Sequence, residues 1–338
     1  MATIKDVARL AGVGLGTASR VVNGSGAVSA ATMAKVQRAI DELKFRPSQL
    51  ARSMISGNSL MIGVYIPVLT GTFYTPILQS IDNGLRAAGI HMVVGFGNGQ
   101  GDERKQELEA LDFLFQRGCD GIIAMSNSLM PEDLAIYGDR QSKIVLLNHF
   151  LRPISEQCFT VDHALGGALA ARALIEYGHT EIAVIAGPTK FADSAERMKG
   201  FFDELKLLGI AKRKVQIIES DFSPEGGWIS AGKLINKGQP FTALFCANDE
   251  MAVGALSYFK KHGILVPEQI SVISYDNTSN AEYSAPRLTS VDIPWGEITQ
   301  SAVQCVLNLC YGSTLPVARE FPITLHYRDS LIRHVDKK

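Results

Sequence analysis

The chain has 338 residues, of which 46 % are hydrophobic and 20 % charged, with a formal net charge of −1. That length is too great for one ordinary core, and the balance is that of a folded, soluble protein of two or three domains. Disordered, membrane-spanning and disulfide-scaffold classes are excluded: no strongly charged tract occurs, and no apolar run approaches the roughly 20 residues a span needs. The five cysteines (Cys119, Cys158, Cys246, Cys305, Cys310) are scattered without a CxxC pair, so neither a zinc site nor a disulfide framework is expected. Met1 to Leu10 lacks the apolar core of a signal peptide, which predicts a cytoplasmic protein.

The charge is uneven. Residues 1–60 hold eight Lys/Arg and three acids, a net +5, so the other 278 of the 338 residues sum to −6. A small basic head on an acidic body suggests a polyanion-binding module joined to something that does not bind polyanions. Residues 4–45 read as three short helices. Ile4, Val7, Ala8 and Leu10–Ala11 give a first apolar face, which Gly12 ends in a turn. Thr17–Val22 form a second helix, and Ser29 caps a third with Val36, Ile40 and Leu43 on one face. Small Ala8 lets two helices cross closely, with Val13 and Val21 between them. This is the pattern of a helix-turn-helix whose second helix enters the major groove, although any helical pair shares the apolar spacing.

The strings Thr3-Ile-Lys-Asp-Val-Ala, Ala11-Gly-Val, Thr17-Ala-Ser-Arg-Val-Val-Asn, Val28-Ser and Phe45-Arg-Pro-Ser with Ala51-Arg are more specific. They closely resemble the lactose-repressor (LacI/GalR) family of bacterial regulators, and the resemblance runs along nearly the whole chain. It implies that Leu15 and Gly16, opening the second helix, face base edges with Arg20 one turn on. Arg bonds guanine O6 and N7 bidentately; a phosphate contact is the alternative for Arg20. Thr3, Thr17, Ser19 and Asn23 are expected at the DNA backbone, fixing register. Gly14 replaces a capping Ser, Gly16 offers no side chain, and Ala18 replaces Val, so no relative's operator sequence transfers.

Residues 46–59 form the expected hinge. Pro47 stops the third helix, and Ser48 caps a short helix over 49–55 ended by Gly57–Asn58. Two turns of isolated helix are marginal in water, so the residues alone equally fit a plain linker. The resemblance implies paired hinge helices from two subunits in the minor groove, with Ala51 at the DNA and Met54 as the apolar wedge where the family has Leu.

From Leu60 strands and helices alternate. Apolar runs at 61–67, 91–96, 121–125, 143–147, 182–186, 214–218, 242–246 and 270–275 predict strands. Helices are expected near 76–88, 103–117, 164–178, 194–208, 225–236 and 249–262. Repeated strand–helix units give an α/β fold of doubly wound parallel sheets, with ligand sites at strand carboxyl ends. The resemblance divides this body (60–338) into two lobes like those of periplasmic sugar-binding proteins. Lobe 1 is expected over about 60–159 and 291–318, lobe 2 over about 160–290 and 319–332, with crossings near 160, 290 and 319.

No HExxH, GxSxG or SxxK motif appears, and Gly95–Gly101 lacks both the dinucleotide spacing and a P-loop lysine. Neither catalysis nor a cofactor is expected. Sugars need polar groups that bond hydroxyls in pairs and aromatic faces for their C–H surfaces. Asn248, Asp276 and Arg197, the last held by an acid, match the family's effector pattern. Phe73, Tyr74, Phe222 and Trp295 stand where relatives place aromatics; Trp295 follows Pro294 in a crossover. Asn148 and Asp162 are weaker strand-end candidates, Asn277 departs from the family's second Asp, and helix capping is preferred for Asp249. The reading is a homodimeric repressor of a sugar-catabolism operon on a near-palindromic operator, controlled by a sugar or sugar phosphate. A purine-responsive regulator, a transport binding protein and a dinucleotide enzyme are the rivals. No leucine heptads follow Tyr327-Arg-Asp-Ser330, so no tetramer-forming tail is expected.

Overall fold

The computed structural model describes residues 2–24, 26–45, 58–98 and 101–335. The chain forms two units, Met1–Leu60 and Met61–Lys338.

The first unit has three helices: α1 (Ile4–Ala11), α2 (Leu15–Val22) and α3 (Ala30–Glu42). Thr3 caps α1: its hydroxyl accepts from the Asp6 N–H while Asp6 accepts the Thr3 N–H, a capping box. Gly12, at φ 63°, closes α1 in the left-handed region where glycine pays no steric penalty. Helix α2 starts at Leu15, two residues before the expected Thr17, on a Gly14 N-cap that supplies no side-chain bond. Ser29 caps α3 as read, accepting from Thr32 N at 3.3 Å. Val7, Ala18 and Val36 are buried completely and Ala8 and Ala39 nearly so; Val13, Val21, Ile40 and Leu43 pack against this core. Ala51, Met54 and the expected hinge helix over 49–55 lie outside the described residues.

The second unit carries two sheets. The first holds β1 (Met61–Ile66), β2 (His91–Phe96), β3 (Gly121–Met125), β4 (Ile144–Leu147) and β5 (Cys158–Phe159) in the order 2-1-3-4-5, every pair parallel. The second holds β6 (Ile182–Ala186), β7 (Gln216–Glu219), β8 (Ala243–Cys246), β9 (Ser271–Asp276), β10 (Thr289–Asp292) and β11 (Thr324–His326) in the order 11-10-9-8-6-7, with only β11 antiparallel. Unbroken burial along β3 and β6 explains their unbroken apolar sequence, because helices cover both faces. Strand order reverses between β1 and β3 and between β6 and β8, which sets a crevice beyond their carboxyl ends.

The longer helices are α4 (Tyr74–Ala87), α5 (Glu103–Gln116), α6 (His163–Glu176), α7 (Ala192–Leu207), α8 (Pro224–Asn236), α9 (Asp249–Lys261) and α10 (Trp295–Tyr311). Two pairs approach through glycine. A β-carbon at Gly167 or Gly200 would collide with the backbone of the facing helix in the α6–α7 pair, and one at Gly227 or Gly254 would do so in the α8–α9 pair. These contacts fix α7 and α9, whose residues reach the crevice.

The second crossing, expected near 290, falls after Asp292, because Thr289–Asp292 is paired on both sides within the second sheet. The return, expected near 319, comes before Thr324. Helix α10 and strands β5, β10 and β11 were not expected. Trp295 opens a 17-residue helix directly after the second crossing.

Candidate functional site

The exposed side of α2 is formed by Leu15, Gly16 and Arg20, with Leu15 47 % exposed. The Arg20 side chain runs back along the helix: its Nη2 lies 3.9 Å from where a β-carbon at Gly16 would stand, and its Cδ passes 3.1 Å from one at Gly26. The tighter approach is at Gly26, where a β-carbon would crowd the Arg20 side chain. Asn23 Nδ2 donates to Ser19 Oγ at 3.2 Å on the same side, and Thr17 is half-buried.

In the second unit, a cavity of about 360 Å³ lies beyond the strand ends of both sheets. Phe73 and Tyr74 reach it from the start of α4, Asn148 from the end of β4, and Arg197 from α7. Phe222 follows β7, Asn248 follows β8, and Asp276 ends β9. Asn148, Phe222 and Asp276 have φ of 60°, 67° and 99°. Non-glycine residues there carry about 1–3 kcal/mol of strain each, a feature that clusters at functional sites. Gly187 is required beneath Phe222, because a β-carbon there would strike the ring.

Arg197 is 3 % exposed. Its Nη1 donates to the Ala247 carbonyl, its Nη2 lies 3.6 Å from Asp193 Oδ2, and its Cζ sits 3.6 Å from the centroid of the Tyr275 ring. Among the described residues its Nε is buried without a partner. Burial pushes the Asp276 carboxyl well above the ordinary range against the opposing pull of Arg197. His163 is buried and pushed down to about 4 by burial and then by Arg197, so it is neutral at pH 7. Its Nε2 lies 2.8 Å from Asn148 Oδ1 and its Nδ1 3.0 Å from the Tyr275 hydroxyl. An amide oxygen only accepts, so Nε2 carries the proton and Nδ1 accepts from Tyr275. This holds the Asn148 oxygen toward His163 and leaves its NH₂ for the cavity.

Across the mouth, Lys190 Nζ meets Glu103 Oε1 at 2.7 Å, and Glu250 accepts the Thr72 N–H and hydroxyl at 2.6 and 3.0 Å. Asn248 Oδ1 caps α9 through Met251 N, and its Nδ2 donates to Phe222 O, both at 2.9 Å. The cap expected of Asp249 therefore belongs to Asn248. Asp249 is instead a buried hub, because as the first residue of α9 its carboxylate points back to β9 and β10. It accepts from Ser274 Oγ (2.5 Å), Ser290 Oγ (2.8 Å), Thr278 N (2.6 Å) and Thr278 Oγ1 (2.9 Å).

Residues 3–48 match the description "Bacterial regulatory proteins, lacI family", and residues 171–331 match a periplasmic binding protein-like domain. The HTH-type transcriptional regulator GalR of Escherichia coli K12 is 32 % identical over 98 % of this chain and 96 % of its own length. The PurR repressor of Vibrio atlanticus is 36 % identical over 91 % and 92 %. The chain belongs to the lacI family of bacterial regulatory proteins. The crystal structure of the lac repressor dimer bound to operator and an anti-inducer superposes with a TM-score of 0.85 at 28 % identity, covering 98 % of this chain and 99 % of that one. This lacI-family regulator is accordingly a DNA-binding transcriptional regulator with a helix-turn-helix head and a ligand-binding body.

Seven of the nine expected effector residues meet at the cavity of this lacI-family protein: Phe73, Tyr74, Asn148, Arg197, Phe222, Asn248 and Asp276. Two do not line it. Asp162 is exposed and caps α6 through Leu165 N at 2.8 Å. Trp295 stands behind Phe73, ring centroids 5.5 Å apart and nearly perpendicular, with its indole N–H buried and unpartnered among the described residues. Asn277 donates to Asp292 and accepts from Arg328, a structural role. Sequence reasoning missed Glu103, Lys190, Asp193, Asp221 and Glu250, which also line the cavity. Asp193 had a signal, since it sits four residues before Arg197 on one helix face.

Proposed function

We propose that this regulator is a homodimeric repressor of a sugar-catabolism operon. Residues 1–45 read the operator, 46–59 form the hinge with Met54 as a minor-groove wedge, and 60–338 bind the effector and dimerise. The observation that carries the reading is the cavity between the two sheets, where amide, guanidinium and carboxylate groups converge beside Phe73, Tyr74 and Phe222. Such a mixture suits hydroxyl pairs and C–H faces. The lac repressor structure, a dimer on operator, supports dimeric binding to a pseudo-palindrome. Ligand binding between the lobes changes their angle and operator affinity with it, and the protein works in the cytoplasm. The PurR relative supports a second reading in which the effector is a purine.

The test is fluorescence anisotropy on an operator selected from random duplexes, with sugars, sugar phosphates and purines added in turn. Release of the duplex by a sugar is the expected result. Release by purines alone moves the protein to the second reading, and no selected sequence would refute operator binding.

A further inference from the structure

We propose that the cleft selects an effector with no anionic group: a neutral, hydroxyl-rich molecule rather than its phosphate ester. The inference rests on reading this cleft as the effector site. The cavity is lined by five acids (Glu103, Asp193, Asp221, Glu250, Asp276) and two bases (Lys190, Arg197), a formal −3.

Both bases are already engaged by the protein. Lys190 is paired with Glu103, and Arg197 holds the Ala247 carbonyl, lies beside Asp193 and stacks on Tyr275. Among the described residues the Arg197 Nε is buried without a partner, a lone inward donor that suits a hydroxyl oxygen.

The ordinary seat for a phosphate in this architecture is a helix N-terminus facing the crevice. At α5, α7 and α9 the first turn already carries a cavity-lining carboxylate: Glu103, Asp193 and Glu250 respectively. Helix α4 lacks one, but Phe73 and Tyr74 occupy its start. The positive ends of α5, α7 and α9 are therefore filled by the protein's own anions. What remains is acceptor capacity: among the described residues the Asp276 carboxyl, at the end of β9, has no hydrogen bond to its side chain.

The experiment measures thermal stabilisation of the full chain by matched pairs: galactose and galactose-1-phosphate, glucose and glucose-6-phosphate, ribose and ribose-5-phosphate, adenosine and its monophosphate. Inorganic phosphate is run beside chloride at equal ionic strength. Within any pair that binds, the unphosphorylated member should bind at least about tenfold more tightly. A phosphorylated member that binds as tightly as its partner overturns the proposal.

A second arm decides the matter even if no pair binds. The double variant Asp193→Asn, Asp276→Asn should gain saturable phosphate binding at least about tenfold tighter than wild type. Equal phosphate affinity in the two proteins overturns the proposal. If the double variant does not fold, Asp193→Asn alone should show a smaller gain, and none refutes the idea. The location is read separately: a ligand whose affinity survives Phe222→Ala is bound elsewhere, which sinks the functional reading whatever its charge.

Discussion

Asp249→Ala is the substitution whose consequence can be worked out furthest. The carboxylate is 1 % exposed and gathers four donors from β9, β10 and the loop at Thr278. Alanine removes every acceptor at once. The three hydroxyls can turn toward other groups, but the Thr278 N–H cannot, and an unsatisfied buried group costs about 1–3 kcal/mol. Adding the strength of hydrogen bonds to a charged acceptor and the small void gives about 3–5 kcal/mol. For a unit of this size that corresponds to a Tm lower by about 6–10 °C. Asp249→Asn keeps one acceptor oxygen and should lose roughly half as much.

The pH dependence has a definite sign. Burial raises the Asp249 pKa in the fold, so the group's contribution is present below the ordinary carboxylate range and is lost as pH rises through the raised value. The stability gap between wild type and Asp249→Asn should narrow in that direction. Scanning fluorimetry at several pH values measures all of this. A Tm shift under about 2 °C for Asp249→Ala would show that the four bonds are not the brace described.

Arg20→Ala should lose about 1–3 kcal/mol of operator binding while sparing random DNA, measured by anisotropy over a salt series; equal losses on both duplexes would assign Arg20 to phosphate. Trp295→Phe should remove most of the effector-induced fluorescence change and weaken binding only several-fold, because Trp295 braces Phe73 rather than lining the cavity. Its stability should fall by less than about 1 kcal/mol, since loss of volume is offset by loss of an unpartnered buried N–H; a signal lost in Trp228→Phe instead would refute the placement. Effector affinity should rise with pH above the ordinary carboxylate range, because the carboxylate form of Asp276 accepts hydroxyls and its free pKa is raised. Calorimetry in buffers of different ionisation enthalpy should find a proton released on binding in that window, and a flat, proton-neutral profile would remove Asp276 from the contact.

Parallel strands sandwiched between helices must be apolar on both faces, so their runs were legible, as were the caps at Gly12 and Ser29. Helix α10 was not, although Pro294 and Glu297 at its start and Gly312 at φ 67° after its end are start and stop signals. Pro294-Trp-Gly reads locally as a turn, and burial of Ile298, Ala302, Val303, Cys305, Val306 and Leu307 blurs the helical period. Strands β5 and β11, of two and three residues, are too short to show a pattern. In the cleft, residues at strand ends were readable because topology puts them there. Lys190 and Glu103 come from distant segments and meet only through folding, as do Thr72 and Glu250.

The chain passes between the two sheets of the body three times: after Phe159, after Asp292 and before Thr324. Three backbone crossings restrict the sliding of one sheet past the other and favour a hinge-like angular coordinate. If that coordinate is what both ligands sense, the traffic between them must be equal in both directions. An effector that loosens the operator tenfold must itself be held tenfold less tightly by the operator-bound protein. A cell rich in unoccupied operator would then read a given effector concentration as lower than it is.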